Sequence, residues 1–384
     1  PFFGMINLII THESGIFRGK MNSVDTQAIK LMQQTRQLLY DAPVKPENVV
    51  VPPFLPDTSE VRKDIARAYN NIYILDIEVK EIIDQLKKDN ILDDTIIIFT
   101  SDHGDGLPRY KRELFDTGIN VPFIILVPKK FSSWQKPGKK IYDLVSFLDI
   151  APTVLDLAGV SIPSYMDGKS IFGSEKNDYI FAARDRLDSF KGKTRAVRNK
   201  DYKFIKNYSL GIVGAQKLSF RENLMSMKEL RKMYENNELN EIQKIWLELI
   251  PELQLYDLNN DPYEINNLAY DPNYKDKVLL LENVLEQWIE KNNFHGHLEE
   301  EDLIEVFWPE NTQPQTTEPL YSLEDGFLHL KNNDVSKDAS IGFSYDGKNW
   351  EVYSEPIEIK KNKKIYIKAV RYGWKESETK IVKF

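Results

Sequence analysis

The 384-residue chain is 41% hydrophobic and 29% charged, enough apolar content to bury a sizeable core in more than one domain. Its formal net charge of −8 argues against nucleic acid as the main partner, because phosphate binding needs a surplus of positive surface. An anionic substrate must then meet a local basic patch. With no cysteine, disulfides and thiolate metal sites are excluded, and no apolar run reaches the length of a membrane span. There is no signal-peptide pattern at the N-terminus. Pro1-Phe2-Phe3 opens directly into an apolar run without an initiator methionine, so the chain is expected to belong to a longer one.

Phe2 to Ile10 predicts a strand, and Thr11-His12-Glu13-Ser14 stands at its end. His12 is thereby a candidate site residue, since ligands of open α/β sheets gather at the carboxyl ends of strands. A helix is predicted over Thr26 to Tyr40. Val49 to Pro56, with prolines at 52, 53 and 56, must be extended. Asp57 followed by Glu60 has capping-box spacing. Val61, Ile65, Tyr69, Ile72, Leu75, Val79, Ile82 and Leu86 then recur at helical spacing, which predicts one long amphipathic helix ending near Asn90. It feeds Thr95 to Thr100, an unbroken apolar and β-branched run that reads as a strand buried on both faces. A helix leading into a buried strand is part of a βαβ crossover, so the fold class is expected to be α/β, with a mostly parallel sheet covered by helices.

Polar chemistry begins where that strand ends. Ser101, Asp102, His103 and Gly104 follow it, then Arg109, Lys111 and Arg112, before a second buried run from Val121 to Val127. A carboxylate, an imidazole and three cations in one loop suit a metal ion beside an anionic group.

Further along, Lys129 to Lys140 reads as a solvated basic loop. Asp149 is placed to cap a short helix through Ala158, with Gly159 as its stop. Residues 180 to 206 predict strands joined by a turn at Asn199-Lys200-Asp201. Arg184, Arg186, Arg195 and Arg198 cluster there; such a cluster is ordinarily a solvated face, although Arg184 could reach a carboxylate or another anionic group of a substrate bidentately. Asn259-Asn260-Asp261-Pro262 is a turn, and Val278 to Ile289 is an amphipathic helix. His295 and His297 beside Glu299 to Glu301 lack a third partner of fixed geometry and are not taken as a metal site. Residues 310–319, ENTQPQTTEP, have the composition of an exposed linker. From 320 to 384 short alternating runs separated by turns such as Asp346-Gly347-Lys348 predict a small all-β sandwich. Tyr345, Trp350, Tyr372 and Trp374 are read as packing in its core, with stacking on sugar rings the alternative.

Asp102-His103-Gly104, then Lys111, then Gly118 and Pro122 before a strand, resembles the second signature segment of the sulfatases in the alkaline phosphatase superfamily. The likeness is closest to N-sulfoglucosamine sulfohydrolases and their bacterial relatives. PFFGMINLIITHES, VPPFLPDTSEVRKDIARAYNNI, LDIAPTVLDLAGV, MDGKSIF, FAARDR with TRAVRNKDYKFIKN, and LYDLNNDPYEINNLA carry it in the family's order over roughly residues 1 to 310. The resemblance implies a catalytic portion over 1–309, with a smaller α+β subdomain, and a fibronectin-like or chitobiase C-terminal-like sandwich over 320–384. It also implies Asp102 and His103 as metal ligands, Lys111 as the holder of the sulfate, and His12 beside the bridging oxygen as the candidate for leaving-group protonation. Arg112 and Arg184 would be substrate-binding. Calcium or another divalent ion, a formylglycine nucleophile, a sulfated carbohydrate substrate and a periplasmic or secreted location are the further implications. Ser161-Ile162-Pro163-Ser164-Tyr165 imitates the start of the family's nucleophile segment, but Tyr165 stands where arginine is needed and the segment follows the metal loop instead of preceding it. The nucleophile is therefore expected outside this chain. A phosphodiesterase or phosphonate hydrolase of the same superfamily, or an inactive or glycan-binding remnant, are the alternative readings.

Overall fold

The computed structural model describes residues 2–19, 24–131, 138–292, 298–333, 338–359 and 363–384. They form two compact units, Pro1–Ile162 with Met166–Asn292, and Pro163–Tyr165 with Asn293–Phe384.

In the first unit the two predicted helices are α1 (Val24–Leu39) and α2 (Ser59–Lys88). Thr58, not Asp57, caps α2: its hydroxyl accepts the Val61 N–H at 3.4 Å, while Asp57 is drawn off into an ion pair with Arg62. The apolar stripe of α2 packs Val61, Ile65 and Ala68 into a core with Phe17, Phe54 and Leu107. The chain then enters β1 (Ile97–Thr100), crosses the short helix α3 (Asp116–Ile119) and returns as β2 (Phe123–Leu126).

This pair differs from the expected parallel arrangement. β1 and β2 are antiparallel, with Ile97 opposite Leu126 and Thr100 opposite Phe123, and every ladder between the strands named here is antiparallel. The physical reason is the connection: residues 101–122 hold only the four-residue α3, too little helix for a parallel crossover. Nor is β1 buried on both faces, since its residues are half-exposed or exposed and Ile124 of β2 is 60% exposed. Phe2 to Ile10 is likewise not a strand. Residues 2–8 have no regular secondary structure, and single 3-10 turns follow at Ile9–Thr11 and Glu13–Gly15.

After α4 (Ile150–Leu157) come β3 (Ile180–Leu187), β4 (Phe190–Arg198) and β5 (Tyr202–Asn207), then α5 (Met225–Glu235) and α6 (Glu241–Lys244), β6 (Leu253–Asp257) and α7 (Lys275–Asn292). Asp149 does not cap α4; with Ser146 it closes a capping box on the preceding turn. The four strands lie in the order β3-β4-β5-β6. One face, through Val197, Phe204 and Leu255, packs on Leu281 and Leu285 of α7. The other, through Ala196, Ile205 and Tyr256, packs on Leu114, Phe115 and Ile119. The sheet thus backs the loop that carries Lys111.

The second unit contains α8 (Glu300–Phe307) and strands β7 (Leu320–Glu324), β8 (Phe327–Lys331), β9 (Ser340–Ser344), β10 (Glu351–Val352), β11 (Ile357–Glu358), β12 (Lys364–Val370) and β13 (Lys380–Lys383). They form two sheets, β10-β9-β12-β13 and β11-β8-β7, closed over Leu328, Leu330, Ile341, Ile365, Ile367 and Val382. The alternation of buried Ile365, Ile367 and Ala369 along β12 is the period-2 signal of a half-buried strand. Residues 310–319 are not a free linker. Thr316 is buried and its N–H and hydroxyl both donate to the Lys375 carbonyl, at 2.9 and 2.7 Å. The four aromatic side chains are not in the core: Tyr345 and Tyr372 are exposed, and Trp350 and Trp374 lie half-buried under the cations of Lys368 and Arg371. His295, His297 and part of the basic stretch after Lys129 lie outside the described residues.

Candidate functional site

The site is built on a tightly folded loop after β1. Gly104 donates its N–H to the Gly118 carbonyl at 2.8 Å; a Cβ there would lie 1.9 Å from the Thr117 carbonyl oxygen, so only glycine fits. The loop turns again at Arg109 and Arg112, both in the left-handed region with φ of 68° and 78°, a conformation that non-glycine residues adopt at some cost. Arg109 is locked there by its surroundings. Its guanidinium is buried, stacks 3.8 Å from the Phe115 ring centroid and donates to the carbonyls of Tyr263 and Glu264 at 2.8 and 2.6 Å.

Between these fixed points the loop meets the segment that carries His12. Glu13, 3% exposed, accepts both terminal nitrogens of Arg112, at 3.0 and 2.9 Å, and lies 3.2 Å from the Lys111 ammonium. Burial pushes the Glu13 carboxyl up, but Arg112 and Lys111 outweigh it and the net shift is downward, so Glu13 is an anion. Gly106 makes this approach possible: a Cβ on it would lie 2.2 Å from the Glu13 Cβ. We expect Gly106→Ala to cost roughly 1–3 kcal/mol, the range of overpacked sites. Its urea unfolding midpoint tests this, and an unchanged midpoint would show that the Glu13 backbone gives way freely.

His12, Lys111, Asp102 and His103 are brought into one electrostatic neighbourhood. Burial lowers the His12 pKa first, Lys111 lowers it further, and His103 acts in the same direction, while Glu13 and Asp102 oppose them. His12 is thus predominantly neutral near pH 7. At the strand end His103 Nδ1 lies 2.8 Å from its neighbour's carbonyl, Gly104 O, which can only accept. Nδ1 therefore donates to it, and Nε2 lies 3.4 Å from Asp102 Oδ2. A histidine tied to a backbone carbonyl through one nitrogen, with the other facing a carboxylate oxygen, has the arrangement of a metal ligand with its outer partner. Asp102 and His103 could offer an oxygen and a nitrogen to a divalent ion. Among the described residues no group of three or more ligating side chains is found, so these two supply only part of a coordination shell. Asp105, on the same loop, is raised to about 6 by burial and by the nearby Glu13 charge, against the Gly106 N–H.

Two sequence expectations change. Arg112 and Arg184, expected at the substrate, have their guanidinium groups engaged within the chain. Arg112 is consumed by Glu13 and by Asp188. Arg184, 7% exposed in its side chain, donates to Glu113 at 2.8 Å and to the Arg112 carbonyl at 2.7 Å and stacks on Phe190. The arginine cluster is a solvated face only at Arg186, which is exposed; Arg195 pairs with Asp185 and Arg198 with Asp116. Arg112 and Arg184 thus hold the loop through the buried carboxylates of Glu13 and Glu113. Glu13 was missed by sequence reasoning. Its signal, an acid beside the candidate histidine, has no meaning until the loop 99 residues away is folded onto it. Ser161 to Tyr165 includes Tyr165 at 61% exposed, with no cationic group replacing the missing arginine in its sequence.

A family model described as sulfatase matches residues 19–160, and one for the N-sulphoglucosamine sulphohydrolase C-terminal region matches 109–254. An ulvan-active sulfatase from Formosa agariphila is 33% identical over 98% of this chain and 67% of its own length. N-sulphoglucosamine sulphohydrolase of Homo sapiens is 26% identical over 63% of this chain and 51% of its own length. A solved structure of a protein in complex with its substrate D-glucosamine-2-N,6-O-disulfate aligns with a TM-score of 0.47, at 20% identity, over 72% of this chain and 50% of that one. The chain thus spans about two thirds of the first relative and about half of the second.

Proposed function

Because the chain belongs to the sulfatase family, we propose that the protein containing it hydrolyses sulfate esters or N-sulfate groups of glycans. Ulvan and N-sulphoglucosamine are the substrates in the names of its relatives. The observation that carries the proposal is the convergence of His12, Lys111, Asp102 and His103 on one neighbourhood, with Lys111 held by Glu13.

Sulfuryl transfer needs neutralisation of the sulfuryl oxygens and stabilisation of the departing oxygen or nitrogen. Lys111 supplies a point charge for the first. It is the one cation of the loop trio that keeps a partly exposed side chain, at 21%, whereas Arg109 and Arg112 are buried. His12 faces the leaving group. Asp102 and His103 would hold a divalent ion, calcium by family resemblance, and the bound ion would polarise the sulfuryl oxygens. The remaining ligands and the nucleophile, a formylglycine by resemblance, we assign to parts of the longer protein. A glycan substrate agrees with a periplasmic or secreted location; no helix among the described residues is long and apolar enough to cross a membrane.

The test is sulfate release from ulvan and from N-sulfated glucosamine by the longer protein. Release that Lys111→Ala abolishes supports the proposal, and absence of release from both substrates sinks it. The metal assignment is tested separately. Asp102→Ala is expected to remove the bound divalent ion, measured as metal content of wild type and variant after dialysis. Equal content would remove Asp102 from the ligand set.

A further inference from the structure

His12 stands at the N-terminus of the 3-10 turn Glu13–Gly15, where the first N–H groups have no partner inside the turn. Serine, threonine, aspartate or asparagine usually fills such a position with a side-chain oxygen. Here the imidazole does so. His12 Nδ1 accepts the Ser14 backbone N–H at 3.4 Å and lies 2.8 Å from the Ser14 hydroxyl. A backbone N–H can only donate, so Nδ1 must carry a lone pair, and the single proton of the neutral ring must be on Nε2. The Ser14 hydroxyl, fully buried, then also donates to Nδ1.

The segment is held rigidly enough for this to matter. Gln33, itself buried, donates to the carbonyls of Ile9, Ile10 and His12 at 3.2, 2.7 and 2.9 Å, and the Gly15 N–H donates to the His12 carbonyl at 3.0 Å. The His12 ring meets Phe220 edge-on. Protonating Nδ1 would set an N–H against the Ser14 N–H and cost the turn its cap.

We infer that Ser14 is a positioning residue that fixes His12 in its neutral Nε2–H form. His12 then serves as a ready hydrogen-bond donor to the departing atom and not as an imidazolium acid. The inference rests on the proposed hydrolysis only for the identity of the departing atom. The fixed tautomer is a property of this chain. Donation by a neutral imidazole is favoured where the ring's pKa is held down, and the groups facing His12 are Lys111 and His103, which hold it down, and Glu13 and Asp102, which oppose them.

The experiment is a long-range proton–nitrogen correlation of the histidine rings in the 15N-labelled chain at about pH 8, above the ordinary histidine pKa of about 6.5, with His12→Gln to assign the ring. The expected result is a bare Nδ1 and a protonated Nε2 for His12. Ser14→Ala keeps the backbone N–H that Nδ1 accepts and removes only the hydroxyl, so the same Nε2–H form is expected in it. A proton on Nδ1 in the wild type overturns the inference. These readouts need no turnover, so a protein that shows the fixed tautomer and releases no sulfate rejects the proposed function while leaving this assignment in place.

Discussion

Replacing Lys203 with methionine is expected to cost the first unit about 3–5 kcal/mol, the range for removing one partner of a buried ion pair. Lys203 is fully buried on β5, with its ammonium 2.5 Å from Asp116 and 2.8 Å from Glu264. Both carboxylates would lose their closest cation. Asp116 would keep Arg198 at 3.2 Å, but Glu264, 0% exposed in its side chain, would face only the Asp116 N–H at 2.5 Å. Burial already raises the Glu264 pKa even with Lys203 present, so the unpaired acid would take up a proton or drag water inward. The damage would reach the site, because Glu264 also offers its carbonyl to Arg109, and Arg109 holds the loop's left-handed turn. Urea unfolding of wild type and Lys203→Met measures the loss. Adding Glu264→Gln should recover part of it by removing the orphaned charge, and a single variant within 1 kcal/mol of wild type would show that this triad is only packing.

The second large effect is on catalysis by the longer protein. Lys111→Ala should lower turnover roughly a hundred-fold or more for every leaving group, the scale of a lost oxyanion donor. The fold should survive, since Glu13 retains both bonds from Arg112. His12→Ala should behave differently. A donor to the departing atom matters most when that atom is a poor leaving group, so sugar hydroxyls or amines should suffer far more than an activated phenol. A leaving-group series on wild type and each variant separates the two. Equal losses across the series for His12→Ala would reduce His12 to a substrate-positioning residue, and leaving-group-selective losses for Lys111→Ala would mean that the two roles are exchanged.

The parts of this molecule legible in the sequence are those where one period dominates. The stripe from Val61 to Leu86 gave α2 within two residues, and the alternation around Ile365 and Ile367 gave β12. β7 carries no such period, because none of its residues from Leu320 to Glu324 is buried, so its sequence has no inside and outside to alternate. The parallel sheet was inferred from a helix preceding a strand. Between β1 and β2 residues 101–122 turn the chain back without a crossover, and a helix preceding a strand carries no signal for that. For the proposed site, Asp102, His103 and Lys111 are picked out by residue type at a strand end. Roles that depend on pairing could not be read: nothing in the spacing of Arg112, Arg184 and Lys203 distinguishes a guanidinium or ammonium that meets substrate from one that neutralises a distant acid.

The half-exposed ladder of β1 and β2 has a colloidal consequence. Each strand has one ladder partner among the described residues, which leaves a row of amide and carbonyl groups open along each outer edge. Ile124 and Leu126 present bare aliphatic surface beside them. Open edges next to apolar side chains are templates for strand addition between molecules. Concentrated preparations of this chain by itself will therefore tend to associate through these edges, and added salt that screens its net negative charge will promote clumping.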